Sequence, residues 1–255
     1  SDFAISGGGP VSTALTALAR LGVRVGYIGA LGDDEPGRSA VAAFQQEGID
    51  IRRLRVQPDT RSAVCFCLVQ AKTAKRVILC YRGTTSPVQL DDNDKEYIAA
   101  ARFLHLDGHH IRAAIDAARI MHEAGGMVVL DANRRRAGLE ELLPWVDVLI
   151  TNSSFPAAHT GEADLHTAMG SLLKGKMRLV VTTLGAQGCL YRDREQMAHI
   201  PGFQVDAVDT TGAGDAFHGA FIYGMLQGWS SRRTAIFANA VAALNCRALG
   251  GRGGL

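Results

Sequence analysis

A carboxylate and a glycine turn stand side by side in the stretch Val208-Asp-Thr-Thr-Gly-Ala-Gly-Asp-Ala-Phe-His-Gly-Ala-Phe221. Residues 203–208 read as a strand, and a strongly apolar helix runs on from Ala216 through Phe217, Ala220, Phe221 and Met225. Small residues at Gly212, Ala213 and Gly214 let the backbone come close to a ligand, with the free N–H groups of the helix start pointing outward. Such an end attracts phosphate, because orphan donors and the positive end of the helix dipole coincide there. Asp215 lies in the same turn and, as an anion, cannot also hold phosphate. Its useful chemistry is to accept a proton from an attacking hydroxyl. The competing explanation is that Asp215 is only a favourable acidic residue in a first helical turn. The spacing excludes two commoner phosphate loops. There is no Gly-x-x-x-x-Gly-Lys-Ser/Thr, and Gly212, Gly214 and Gly219 do not make Gly-x-Gly-x-x-Gly, so a dinucleotide-binding dehydrogenase loses its main support.

The elements that must position this turn alternate along the chain. Ala14, Leu15, Leu18 and Leu21 form a helical stripe that ends at Gly22, and residues 23–28 read as a strand. Asp34 caps a second helix, with Pro36 in its first turn, that runs through Val41 and Phe44 to Gly48. Short apolar runs at residues 103–106, 127–130, 146–150 and 179–181 suit strands buried on both faces of a parallel sheet. Helical patterns at 111–124 and 163–173 lie between them. This rhythm predicts an α/β fold with a doubly wound, mostly parallel sheet flanked by helices. Residues 62–69 and 76–82 break it: β-formers joined by the polar residues 70–75 predict a small antiparallel hairpin appended to the main sheet. Tyr191 and residues 196–200 predict a second hairpin at an edge. With no linker or internal repeat, residues 1–255 read as one domain.

Composition narrows the function classes. Apolar residues make up 47% and charged residues 20% of the 255, with a net charge of +2 from interspersed signs, so neither a disordered chain nor a nucleic-acid binder is expected. No apolar run reaches the roughly 18 residues of a membrane helix, and no signal peptide is visible, which predicts a cytoplasmic protein. Five cysteines are too sparse for a disulfide scaffold, and Cys65 and Cys67 alternate along a strand as small apolar fillers. His105, His109 and His110 near Asp107 invite a metal reading, but no second cluster has zinc spacing, so pocket-lining by Asp107 or His109 is the better role. Arg134, Arg135 and Arg136 read as a solvated loop or as a reach toward an anionic substituent. His218 reads as packing.

Several motifs in order carry a family resemblance. Asp209-Thr-Thr-Gly-Ala-Gly-Asp215 resembles the carboxy-terminal signature of the ribokinase-like (PfkB) carbohydrate kinases. Gly7-Gly-Gly-Pro-Val-Ser-Thr13, Leu21-Gly22, Gly29-Ala-Leu-Gly-Asp-Asp34 and Gly37 resemble the amino-terminal one. Thr182-Thr-Leu-Gly-Ala-Gln-Gly188 resembles the nucleotide-side strand and turn. Asn239-Ala-Val-Ala-Ala-Leu and the closing Gly250-Gly-Arg-Gly-Gly254 resemble the final helix and loop. In motif detail the chain is most similar to the sulfofructose kinases and ketohexokinases, which implies a primary hydroxyl of a ketose or acidic ketose-like sugar as acceptor. A nucleoside kinase of the same fold and a non-catalytic nucleotide or sugar sensor are the alternatives.

The resemblance implies roles. Asp215 would be the base, and Gly212, Ala213 and Gly214 the anion hole. Gly8, Gly9 and Thr13, with Asp107 and His109, would meet the sugar. Thr182, Gly185, Gly188 and Asn239, with Gly212 and Gly214, would lie along ATP. Asp209 and Thr211 would flank a monovalent cation such as K⁺, while Mg²⁺ would be held mostly by phosphates and water. The hairpin at 62–82 would be a lid closing over sugar and joining a homodimer. Relatives begin with a strand whose aspartate binds sugar hydroxyls. This chain starts almost at the glycine motif, and Asp2 is no convincing substitute, so a truncated or unobserved amino terminus, hiding any targeting signal, is expected. An asparagine of many relatives is Thr13 here, and their metal-supporting Asn-x-x-Glu is Asn152-Ser-Ser-Phe155.

Overall fold

The computed structural model describes residues 3–70 and 76–255. Asp2 and residues 71–75 of the polar link in the hairpin lie outside the described residues. The chain divides into two compact units. The first takes the chain up to Val88, then Phe203–Ser230 and Phe237–Leu255; the second takes Gln89–Gly202 and Ser231–Ile236.

In the second unit a six-stranded sheet is ordered β10-β9-β8-β7-β6-β5. Its parallel part is β5 (Phe103–Leu106), β6 (Met127–Asp131), β7 (Val148–Asn152) and β8 (Leu179–Thr183), and β9 (Cys189–Arg192) and β10 (Met197–Ile200) follow antiparallel. Val128, Val129, Leu130, Leu149, Ile150, Val180 and Val181 are fully buried. Continuous apolar runs of this kind are what a strand covered on both faces requires. α4 (Ile111–Glu123) packs on β5 and β6, α6 (Phe155–Thr160) packs on β7, and α7 (Leu165–Leu172) packs against α6. Here the expected strands, the 111–124 helix and the edge hairpin stand within a few residues of their sequence positions.

The first unit holds α1 (Pro10–Arg20), β1 (Gly26–Gly32), α2 (Glu35–Gln46), β2 (Asp50–Gln57) and α8 (Ala213–Leu226), while α9 (Ser231–Asn245) runs through both units' residues. β1 pairs in parallel with β2, a strand the sequence pattern did not announce. The strand expected at 23–28 is found at Gly26–Gly32, and the one expected at 203–208 is irregular backbone. Asp34 caps α2 as expected, accepting from Gly37 N at 2.9 Å, and also receives Ser62 N and Ser62 Oγ. These hydrogen bonds, led by the Ser62 hydroxyl, hold the Asp34 carboxyl below its usual pKa.

The hairpin β3 (Val64–Val69) and β4 (Arg76–Tyr81) is antiparallel, as expected, but forms a sheet of its own. Cys65 lies directly opposite Cys80, their Cα atoms 4.2 Å apart, and the two form a disulfide. Cys65 and Cys67 are therefore not apolar fillers: both are exposed, one bridged and one a free thiol. A thiol reagent is expected to modify exposed Cys67 first and buried Cys189 last. Cys246 should lag behind Cys67, because burial raises its pKa. Five reactive thiols in denatured, unreduced protein would rule the bridge out.

Candidate active site

α8 is apolar all round, and Phe217 and Phe221 are at most 2% exposed, which fixes the helix in the core. Each such ring contributes about 1.5–3 kcal/mol by burial. A Cβ on Gly219 would lie 2.4 Å from Ala14 O, so glycine there lets α8 cross α1 at close range. Both helices begin on glycine. Gly9 caps α1 at φ 95° and Gly212 caps α8 at φ 74°, and neither helix has a side-chain cap. By contrast α2, α3 (Asp92–Ala99) and α7 are capped by the carboxylates of Asp34, Asp91 and Asp164. Ala213 N turns back to Thr210 O at 3.3 Å, and no side chain caps the other first amides of α8. A Cβ on Gly214 would meet nothing within 4 Å. Asp215 lies in that first turn and is half-buried.

The loop leading to α8 is clamped from behind. Asp209, 1% exposed, accepts Thr211 N at 2.8 Å and Gly250 N at 2.9 Å, spending one carboxylate oxygen on each. Asn245 Nδ2 donates to Thr211 O and Gly251 O, each at 3.2 Å. A Cβ on Gly212 would stand 2.1 Å from Gly251 O. The oxygens Thr211 Oγ1 and Asn245 Oδ1 are buried with no hydrogen-bond partner among the described residues. Arg76, the first residue of β4, donates to Thr210 Oγ1 at 2.7 Å and so ties the hairpin to this loop. Thr13, expected to meet the sugar, is 1% exposed and its hydroxyl accepts from Arg252 Nε at 3.3 Å. Gly8 is open, with nothing within 4 Å of an added Cβ.

In the second unit the polar residues gather at the carboxyl ends of the parallel strands, the edge where such sheets bind ligands. Asp107 follows β5 and accepts His109 N at 3.0 Å, with His109 Nδ1 3.1 Å from the same oxygen. His109 Nε2 faces Arg136 Nη2 at 3.0 Å. The basic run is thus resolved into one side chain against His109 and two exposed ones. Burial pushes the Asp107 carboxyl up, but the His109 side chain and amide outweigh it, so its pKa lies below the usual value. Burial holds His105 and His110 below the ordinary imidazole value.

Thr182, expected along the nucleotide, is fully buried in β8 with Oγ1 3.2 Å from Thr151 Oγ1. Gly185 and Gly188 both take positive φ, and a Cβ on Gly188 would strike Ile200 O at 2.1 Å, so that glycine serves the turn. Asn239, in the first unit's part of α9, is 6% exposed. Asn152 turns its oxygen onto Ser154 N, Ser154 Oγ and Phe155 N. Phe155 itself is 1% exposed, so a core ring fills the fourth position of the expected Asn-x-x-Glu motif. His218 is 3% exposed inside α8, as packing requires. A cavity of about 690 Å³ lined by His122, Asp147, Lys176 and Arg178 opens at the opposite, amino-terminal edge of the sheet and belongs to none of these clusters. Sequence reasoning named Asp209 only as a neighbour of a cation and missed the clamp it forms with Asn245 and the Arg252 loop; the glycine-rich end alone hinted at it.

A model of the pfkB family of carbohydrate kinases matches residues 1–255. The chain belongs to that family. It is 34% identical over 250 residues to the ATP-dependent ribose-1-phosphate kinase of Halopiger xanaduensis, covering 97% of this chain and 82% of that protein. It is 30% identical to fructokinase-1 of Zea mays, covering 93% and 81%. The structure of Arabidopsis thaliana ribokinase complexed with ribose and ATP matches with a TM-score of 0.85 at 24% identity, over 95% of this chain and 82% of that one. The fold is therefore ribokinase-like, and this pfkB kinase is a phosphotransferase acting on a sugar. Among the described residues no helix is long and apolar enough to cross a membrane.

Proposed function

We propose that the chain transfers the γ-phosphoryl group of ATP to a primary hydroxyl of a ketose or acidic ketose-like sugar. The observation that carries this is the start of α8, where amides without a side-chain cap and the Asp215 carboxylate share one turn. Asp215 takes the proton of the attacking hydroxyl, and the amides of the Gly212–Gly214 turn stabilise charge on the transferred group. The names of the Halopiger and Zea mays relatives, one ATP-dependent and one a fructokinase, support donor and acceptor class. Mg²⁺ enters with ATP, held by phosphates and water, since Phe155 offers it no oxygen. An acidic sugar needs a cation to pair with, and Arg136, which lies beside His109, is the candidate for it.

A monovalent cation fits next to the α8 turn. Thr211 Oγ1 and Asn245 Oδ1 are buried oxygens awaiting a partner, and the Asp209 charge lies against the same loop. The hairpin acts as a lid and as a dimer face. Phe66, Leu68, Val77, Leu79 and Tyr81 are 48–64% exposed on it, more apolar surface than a lone hairpin keeps in water. Light scattering is expected to find a dimer that Phe66→Glu converts to monomer; an unaltered dimer removes the lid from the interface.

A coupled ADP-release assay tests the main reading. The panel holds fructose and other ketoses, acidic sugars, ribose, ribose 1-phosphate and nucleosides, each in potassium and in tetramethylammonium buffer. Ketose turnover that is faster in potassium is the expected result. Turnover of a nucleoside alone would move the chain to the nucleoside kinases, and nucleotide binding without turnover would make it a sensor. Equal rates in both buffers would remove the cation.

A further inference from the structure

Arg252 is a buried cation that the chemistry above does not use. It is 8% exposed, in the loop after α9. Nη2 donates to Gly8 O at 3.3 Å and to Ser12 Oγ at 2.9 Å, and Nε donates to Thr13 Oγ1. A Cβ on Gly7 would lie 2.4 Å from Nη1, so the guanidinium lies against backbone that only glycine leaves bare. Ser12 Oγ in turn donates to Gly8 O and Gly9 O. One planar group therefore grips the glycine turn and the first turn of α1 together, with a fork geometry that lysine cannot copy.

The loop that carries Arg252 is itself anchored to the start of α8 through Gly250 N to Asp209 and Gly251 O to Asn245. Arg20 Nη1 donates to Arg252 O at 3.2 Å and fixes the backbone on the other side. Burial lowers the guanidinium pKa, and the carboxylates of Glu47 and Asp215 oppose that, while Arg20 adds to it. A buried guanidinium is costly in water-free surroundings unless its donors find partners. Here those partners, Gly8 O, Ser12 Oγ and Thr13 Oγ1, all lie at the glycine turn and the first turn of α1.

We propose that Arg252 is the positioning residue of the acceptor side, holding the Gly7–Gly9 backbone in the conformation that admits sugar. This rests on the reading of Gly8 as sugar-facing. Arg252→Met and Arg252→Lys are compared with the parent protein on the panel sugar with the highest kcat/KM. Arg252→Met is expected to raise the sugar KM by about tenfold or more, the size of one or two lost hydrogen bonds to a charged group. KM for ATP should stay within about twofold, as befits an interaction confined to one substrate. Hydrogen exchange in peptides spanning residues 7–16 should quicken in Arg252→Met. Arg252→Lys should recover part of both effects.

An equal rise in both KM values, or unaltered sugar KM and exchange with a lower thermal midpoint, would make Arg252 a merely structural residue. Should Arg252→Met fail to fold, Arg252→Lys decides: its single head cannot reach all three acceptors, so an unchanged sugar KM overturns the proposal. Gly8→Ala separates the two readings, because its methyl group enters open space. If Gly8→Ala leaves sugar KM alone, the sugar-facing assignment has failed. If it raises sugar KM while the Arg252 variants do not, only the Arg252 proposal has failed.

Discussion

Asp215→Asn is expected to lower turnover by about 10²–10⁴, the range for loss of a general base, while ATP affinity measured by calorimetry stays close to that of the parent. The carboxamide keeps the size and shape of the carboxylate but cannot take a proton from the acceptor hydroxyl. Asp215 is half-buried in the first turn of α8, so its anion also favours the helix dipole. Losing that interaction costs about 0.3–1 kcal/mol at an exposed site and up to about 2 kcal/mol at a partly buried one. The fold should therefore survive with a small fall in thermal midpoint. A second consequence follows from the attraction between Asp215 and the buried Arg252. Removing one charge leaves the other less compensated, so the double variant Asp215→Asn with Arg252→Met should be destabilised by less than the sum of the two single variants. Turnover within about tenfold of the parent protein would mean that proton removal does not depend on this carboxylate, and the mechanism would fall.

Much of the second unit was legible because its physics is local. Runs such as Met127–Asp131 and Leu179–Thr183 are apolar throughout, and strands covered on both faces admit little else. β2 was not legible, since Asp50–Gln57 carries three arginines and is only half-buried, so neither alternation nor a continuous apolar run appears. Residues 203–208 misled in the other direction. Phe203, Val205 and Val208 favour a strand by composition, yet all three are exposed and the amides of Val208 and Asp209 both go to Cys246 O. β-propensity describes a fit to a pleated, half-buried surface, and among the described residues no strand pairs with this segment to supply one. The bridge between Cys65 and Cys80 depends on a register set by the whole hairpin, which spacing alone does not reveal.

The candidate site divides along the same line. Glycines at 212 and 214 and the acid at 215 are readable because a helix start imposes its own short-range chemistry. What holds that turn still is non-local: Asp209 reaches Gly250 across 41 residues and Arg252 reaches Thr13 across 239. No periodicity encodes such pairs. Asp209 and Thr13 stand out in sequence only as members of motifs, and their partners Gly250 and Arg252 become evident only in the folded chain. Thr13 is the instructive case, since its position in the motif pointed toward sugar and its hydroxyl instead faces a guanidinium.

The clamp makes the second large prediction. Asp209→Ala leaves Thr211 N and Gly250 N without their acceptor in a place that is almost closed to water. A buried donor left unsatisfied costs about 1–3 kcal/mol, so two together should cost about 2–6 kcal/mol. That is a large share of the roughly 5–15 kcal/mol by which domains are stable. Asp209→Asn should cost less than Asp209→Ala, since one carbonyl oxygen can still serve one amide while its NH₂ faces the other. Denaturant unfolding provides the ranking: parent, then Asn, then Ala. Turnover per folded molecule should fall as well, because Gly250–Gly251 and Thr211 hold the Gly212 turn from behind and a slackened turn no longer presents its amides at fixed positions. If Asp209→Ala costs under about 1 kcal/mol, water must reach these amides and the clamp is not closed. If it is destabilised as expected yet turns over normally once folded, the start of α8 holds its shape without Asp209. Arg76 and Asn245, which bond Thr210 and Thr211 independently, would then be the residues that set it.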